Sequence, residues 1–349
     1  MPAKKILVIG PSWVGDMVLA HSLFQVLKTK YPDAIIDVAA PAWTLPLLDR
    51  MPEINLGIAL PFKHGQLSLF ERIRFGRNLK NQGYTQAILL VNSLKSAILP
   101  LAAGIPQRTG FVGELRYGLL NDIRKLDKKK LPRTVDRFVA LSTDSFASLI
   151  ANPDSIPNPR LIADHDNALR VLARHNISKL ANTTQKVLGL CPGAEYGEAK
   201  RWPVEHYAEV ANAALNKGWQ VWLFGSDKDV PVTSAINQLT QNQCQDWGGK
   251  TKLGDAIDLM SLCDTVISND SGLMHVAAAL DKKLIAIYGS SDPHHTPPMH
   301  PNAVIEYLAL ACSPCFEREC PLKNDADKLG CLKQIKPHDV IQKITFLAS

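Results

Sequence analysis

No apolar stretch of this 349-residue chain approaches the roughly 20 residues that a membrane-spanning helix requires, which argues against a helical anchor. The strand-like run Ile6-Leu7-Val8-Ile9 is broken at once by Gly10-Pro11, too short for the core of a signal peptide. The expectation is a cytoplasmic protein. Cysteine is sparse and odd in number, seven in the whole chain, so a secreted disulfide framework is not indicated. There is no short-period repeat and no low-complexity tract. The glycine spacing of a dinucleotide fold is missing too. The first strand runs into Gly10-Pro11-Ser12-Trp13-Val14-Gly15-Asp16, and the next carries Asp37 in its middle with no acid at its end to hold a ribose. A dehydrogenase is thereby set aside.

What is present is ordinary globular material, 46% hydrophobic and 21% charged, in a chain longer than one hydrophobic core usually supports. Two domains follow. The net charge of +6 is unevenly spread: up to Asp164 there are 21 Lys/Arg against 13 Asp/Glu, and beyond it 18 against 20. Two basic segments stand out, Arg72, Arg74, Arg77 and Lys80, then Lys125, Lys128, Lys129, Lys130 and Arg133. Either they are solvated faces, or they meet an anionic partner such as an acidic glycolipid or membrane surface. No aromatics are interleaved with these charges as a single-strand nucleic-acid groove would have them, so no nucleic-acid partner is expected.

Strand and helix patterns alternate in the first half: strands at Lys5 to Ile9, Ala34 to Ala39 and Gln86 to Val91, and helical periodicity from Asp16 to Lys30. Asn, Pro and Ser cluster between Ile150 and Arg160 as a linker or loop. The rhythm then restarts, with strands at Lys186 to Cys191, Gln220 to Phe224, Asp264 to Ser268 and Leu284 to Tyr288, and a helix at Glu205 to Lys217. The fold expected is α/β, two doubly wound Rossmann-like domains facing a central cleft. Residues 1–165 would form the first domain and 180–335 the second, with a closing helix in 336–349 that crosses back to the first. In such sheets ligands bind beyond the carboxyl ends of the strands, so the strand-end loops of the second half should converge on one site.

Three sequence features carry the chemistry. Asp16, where the first loop becomes a helix, reads either as a cap for free backbone N–H groups or as a general base. Lys200, in Lys200-Arg201-Trp202-Pro203, reads as an exposed charge or as a cation for a leaving diphosphate. Asp270-Ser271-Gly272-Leu273-Met274-His275 opens a helix whose N-terminal N–H groups and positive dipole end suit a phosphate. Gly272 would allow close approach of the backbone there, and His275 lies one turn in.

In this order and spacing, with Tyr288-Gly289-Ser290-Ser291-Asp292-Pro293 following, these pieces resemble the ADP-heptose lipopolysaccharide heptosyltransferases over nearly the full length. The resemblance implies a glycosyltransferase-B fold with the second domain holding the ADP-heptose donor through Lys200, Asp270, Ser271, Gly272, Leu273 and His275. It makes Asp16 the general base of an inverting single displacement. It makes the acceptor an acidic lipid A core glycolipid, and it implies transient contact with the inner leaflet of the inner membrane. The cysteine-rich tail is more like the members that add heptose to the first core heptose than those that act earlier. Transfer to another core position, or a sugar-nucleotide epimerase on the same fold, are the alternatives. No cofactor is required by this chemistry. Cys312, Cys315, Cys320 and Cys331 have a spacing that a structural zinc could use, with buried free thiols as the default reading.

Overall fold

Short runs of Val, Ile, Leu and Ala become strands buried on both faces, as a parallel sheet covered by helices requires. The computed structural model describes residues 4–62, 65–143, 150, 152–177 and 185–348, and the chain divides into two units, Met1–Pro159 and Arg160–Ser349. The expected second-domain start at residue 180 lies outside the described residues.

In the first unit the strands are β1 (Lys5–Ile9), β2 (Ile35–Pro41), β3 (Leu56–Leu60), β4 (Gln86–Leu89), β5 (Gln107–Phe111) and β6 (Asp122–Arg124). They form one sheet in the order β3-β2-β1-β4-β5-β6 with every pairing parallel. The second unit holds β7 (Val187–Cys191), β8 (Gln220–Leu223), β9 (Gln245–Asp246), β10 (Thr265–Asn269), β11 (Lys283–Ile287) and β12 (Val304–Glu306). Their order, β12-β11-β10-β7-β8-β9, is again all parallel and repeats the first sheet's topology strand for strand. Each sheet has the doubly wound Rossmann arrangement, whose order reverses at the first and fourth strands. The α/β expectation of two such sheets is met.

Asp37, a carboxylate in the middle of β2, is 1% exposed. It accepts hydrogen bonds from Asn55 Nδ2 at 2.8 Å and Tyr84 Oη at 2.7 Å, with Lys5 Nζ at 3.7 Å. Burial first, and then the bond to Asp37, push the Tyr84 phenol above its ordinary range. Asp37 is therefore a bracket within the sheet and its connections.

In the second unit the core gathers Leu188, Leu190, Val221, Leu223, Ile267 and Ile285 from the strands with Val210 and Ala211 from the Val204–Asn216 helix. The closing helix, Pro337–Ala348, lies in the second unit, where Val340 and Ile344 are buried in this same core. Among the described residues no helix is long and apolar enough to cross a membrane.

Candidate functional site

All strands of the second sheet run parallel, so the loops after β7, β8, β10 and β11 leave it at one edge, and hydrogen bonds tie them together. Asn269, the last residue of β10, is fully buried. Its Oδ1 accepts from the Trp202 backbone N–H at 3.1 Å and from Tyr207 Oη at 3.0 Å. Its Nδ2 donates to the Pro192 carbonyl at 2.6 Å. One side chain thus fixes the loop after β7 and the segment bearing Lys200.

Asp270 is 5% exposed, and its carboxylate accepts from Lys200 Nζ at 2.5 Å. The ammonium also lies 5.1 Å from the centre of the Tyr196 ring, whose other neighbour is the Arg318 guanidinium at 5.2 Å. Ser271 follows as the extended N-cap of the Gly272–Ala279 helix, without a side-chain cap bond. Its hydroxyl is 3.3 Å from Ser268 Oγ. The first-turn N–H groups of any such helix lack intrahelical acceptors, which makes this end an anion site.

His275 stands one turn into that helix and is 5% exposed. Burial is the main cause that holds its pKa down to about 4; Asp270 pulls it up and Lys200 pushes it down. The imidazole is therefore neutral near pH 7. Its Nδ1, with Ser290 Oγ and Ser291 Oγ after β11, is buried without a hydrogen-bond partner among the described residues. These three orphans, one on this helix and two just after the neighbouring strand, are polar groups that a ligand or water can satisfy.

Glycine is needed where backbone or carboxylate comes too close for a side chain. A Cβ on Gly193 would sit 2.4 Å from the Asp229 carboxylate, and one on Gly197 would sit 2.3 Å from the Arg318 carbonyl oxygen. Asp229 in turn accepts from the Ser226 N–H and hydroxyl at 2.9 and 2.8 Å, and lies 3.9 Å from Arg201. The tail after β12 is latched to the same loops. Ser313 Oγ donates to the Gly289 carbonyl at 2.5 Å, Phe316 N–H to Ser290 at 2.7 Å, Tyr196 Oη to Phe316 at 2.6 Å and Ala199 N–H to Arg318 at 3.0 Å.

The tail cysteines do not match the default of buried thiols. Cys312 is exposed and Cys315, Cys320 and Cys331 are half-buried, whereas Cys191, Cys244 and Cys263 are buried. Burial, and then the nearby Cys312, Cys315 and Cys320, push the Cys331 thiol up to about 11. Among the described residues no group of three or more His, Cys, Asp or Glu is placed to hold a metal ion.

In the first unit Asp16 is half-buried in the first turn of the Val14–Lys30 helix, beyond the carboxyl end of β1. The cap position itself is Trp13, which makes no side-chain cap bond. The basic segments are less uniform than their sequence suggests. Arg72 is 8% exposed, donates through Nε to the Leu67 carbonyl at 2.7 Å, and stacks 4.3 Å above Phe62. Arg133 is paired with Asp136 at 2.8 Å. Arg74, Arg77, Lys80, Lys125, Lys128, Lys129 and Lys130 are exposed.

Lys200, Asp270, Ser271, Gly272, Leu273 and His275 are thus found on two adjoining loops and one helix start of the second unit. Ser290 and Ser291 stood in a strand-end loop expected at the site but were given no role, and Tyr196 and Arg318 were not foreseen. Asn269 was visible as a polar strand end but not as a bracket, and Arg318 approaches only because the tail folds back.

A family model described as glycosyltransferase family 9 (heptosyltransferase) matches residues 72–325. Lipopolysaccharide heptosyltransferase 2 of Salmonella typhimurium is 48% identical over 311 residues, covering 87% of this chain and 88% of that protein. Lipooligosaccharide heptosyltransferase 2 of Haemophilus influenzae is 46% identical over 352 residues, covering 98% and 99%. The solved structure of E. coli ADP-heptose lps heptosyltransferase II superposes with a TM-score of 0.84 at 40% identity, covering 98% of both chains.

Proposed function

The chain belongs to glycosyltransferase family 9, the heptosyltransferases, and from that premise we propose that it moves heptose from ADP-heptose onto the first heptose of the lipopolysaccharide inner core. Family membership makes it a glycosyltransferase and sets aside the epimerase alternative. The observation that carries the donor assignment is the Lys200–Asp270 pair, 2.5 Å apart beside the start of the Gly272–Ala279 helix. A lysine ammonium has three N–H donors, so one can stay on Asp270 while the others take oxygens of a diphosphate. Without Lys200, the Asp270 carboxylate would repel that anion.

In the reaction proposed, Asp16 accepts the proton of an acceptor hydroxyl as its oxygen attacks the anomeric carbon of the donor. The bond from that carbon to the β-phosphate oxygen breaks, its electron pair leaves with ADP, and one displacement inverts the centre. The charge growing on the diphosphate is met by Lys200 and by the backbone N–H groups following Ser271. Neutral His275, with no positive charge to trap the product, supplies a hydrogen bond. The exposed lysines and arginines of the first unit suit a phosphorylated lipid A core and the inner leaflet carrying it, so the site of action is the cytoplasmic face of the inner membrane.

The test is ADP release from ADP-heptose with two acceptors, lipid A core bearing one heptose and the same core without it. Release only with the first acceptor is expected. Release with the heptose-free core alone would move the assignment one step earlier. Asp16→Ala should lower kcat by at least about a thousandfold while ADP-heptose still binds; undiminished turnover in that variant would remove Asp16 as base.

A further inference from the structure

The six tryptophans have opposite fates. Trp202, Trp222 and Trp247 are at most 1% exposed, whereas Trp13 is 49% and Trp43 52% exposed. Leaving an indole half in water forgoes burial of one of the largest apolar side chains, so two of them on adjacent loops call for an occupant.

Their placement is specific. β1 and β2 pair in parallel, with Ile9 opposite Ala39, so the loops that follow leave the sheet next to each other. Trp43 lies in the Ala42–Thr44 turn after β2, and its Nε1–H donates to the carbonyl of Ser12 at 3.0 Å. Ser12 immediately precedes Trp13, and the Trp13 carbonyl accepts the Met17 N–H at 2.9 Å as the first bond of the Val14–Lys30 helix. Trp43 is thereby held by its polar edge against the loop that carries Trp13. Asp16 is the third residue of the helix that Trp13 precedes as its extended cap position, so both lie at the same helix start.

We infer that Trp13 and Trp43 form a stacking platform for a pyranose ring of the acceptor, beside the carboxylate that takes the acceptor's proton. The inference rests on the assignment of Asp16 above. A sugar presents one face of C–H groups and an edge of hydroxyls. The indole faces suit the first, and a carboxylate suits the second. Tryptophan does this at low entropic cost, having only two side-chain torsions to fix. An acceptor hydroxyl must reach Asp16 in the transfer reaction, and the ring bearing it extends only a few ångströms further. The basic segments would hold the phosphates of the same molecule, and the indoles its uncharged sugar. An adenine ring could also stack on an indole, and kinetics separates the two occupants.

The experiment uses the full chain with Trp13→Ala, Trp43→Ala and Trp43→Phe, varying donor and acceptor separately. Trp43→Ala should raise the acceptor KM about tenfold with kcat and donor KM within about twofold of the original. Trp43→Phe keeps a ring but loses the bond to Ser12, and should fall between. These side chains are exposed, so thermal unfolding should be little changed, and Trp43→Phe remains informative if an alanine variant fails to fold. Binding is read independently of turnover, by indole fluorescence on adding delipidated heptosyl core oligosaccharide without donor. Quenching that is lost in Trp13→Ala and Trp43→Ala supports the platform. An unchanged acceptor KM, or a raised donor KM alone, overturns it. Oligosaccharide binding that depends on both indoles in a protein that transfers no heptose would leave the platform standing and sink the function proposed above.

Discussion

His275 is a histidine that its surroundings keep from acting as a cation. Its burial favours the neutral ring, and Lys200 adds to that, outweighing the pull of Asp270. The group has a folded pKa of about 4 against 6.5 when unconstrained. Between those values the unfolded chain binds a proton that the folded one refuses, so stability rises with pH across this window and is lost on acidification. The loss amounts to about 3 kcal/mol from this residue when the pH falls from neutral to below 4. Thermal unfolding followed from pH 7 to pH 4 should show His275→Asn declining less steeply than the original protein. Parallel declines would mean that the ring is not held neutral. In the donor role proposed above, the same desolvation would matter for function. A histidinium beside Lys200 would tighten ADP binding and slow its release, whereas a neutral ring offers direction without added charge.

At the scale of elements, the site depends on where β10 ends. Asn269 joins the Pro192 carbonyl, the Trp202 N–H and the Tyr207 hydroxyl, all in buried surroundings. Asn269→Ala would strand the Trp202 N–H and the Pro192 carbonyl, while Tyr207 Oη keeps the Cys191 carbonyl at 3.4 Å, and a cost of about 3 kcal/mol is expected from these buried unsatisfied partners. Tyr207→Phe removes one hydroxyl, 3.0 Å from Asn269 Oδ1 and 3.4 Å from the Cys191 carbonyl, and should cost about 1 kcal/mol. Urea unfolding of the two variants tests this ordering, and an equal loss in both would deny Asn269 its bracketing role. The strands that carry the site were legible because β1, β7, β10 and β11 are nearly continuous apolar runs ending in small or polar residues. Strands β3, β5, β6, β9 and β12 were not foreseen; of these Asp122-Ile123-Arg124, Gln245-Asp246 and Val304-Ile305-Glu306 are short, partly exposed and mixed in polarity. Candidate site residues in a local motif, such as Asp270 to His275, were legible because they form one strand end and one helix start. Arg318, Tyr196 and the latch through Phe316 depend on contacts about 120 residues apart in sequence, which no local pattern records. Arg72 and Arg133 show the converse limit, because a charge run does not tell which members are already engaged inside.

At the scale of the whole molecule, two sheets of the same topology carry different charge. The first half holds the basic excess, and the second, with the proposed donor site, is slightly acidic overall. In the donor role proposed above, a nucleotide sugar would be held by one lysine and a helix start rather than by a general field, which would concentrate its attraction at the diphosphate. The acceptor proposed above is larger and multiply anionic, and a spread of exposed cations would attract such a partner at long range. With Arg72 engaged internally, Arg74, Arg77 and Lys80 are the exposed members of the first basic segment. Reversing them together to glutamate should raise the acceptor KM about tenfold or more and leave the donor KM within about twofold. Salt provides the second readout. In the original protein the acceptor KM should climb as ionic strength rises from about 0.05 to 0.3 M, since surface charges are screened over that range. The reversed variant should start high and show little further rise. A donor KM that moves with the reversal, or an acceptor KM indifferent to both charge and salt, would show that this field serves solubility and not acceptor capture.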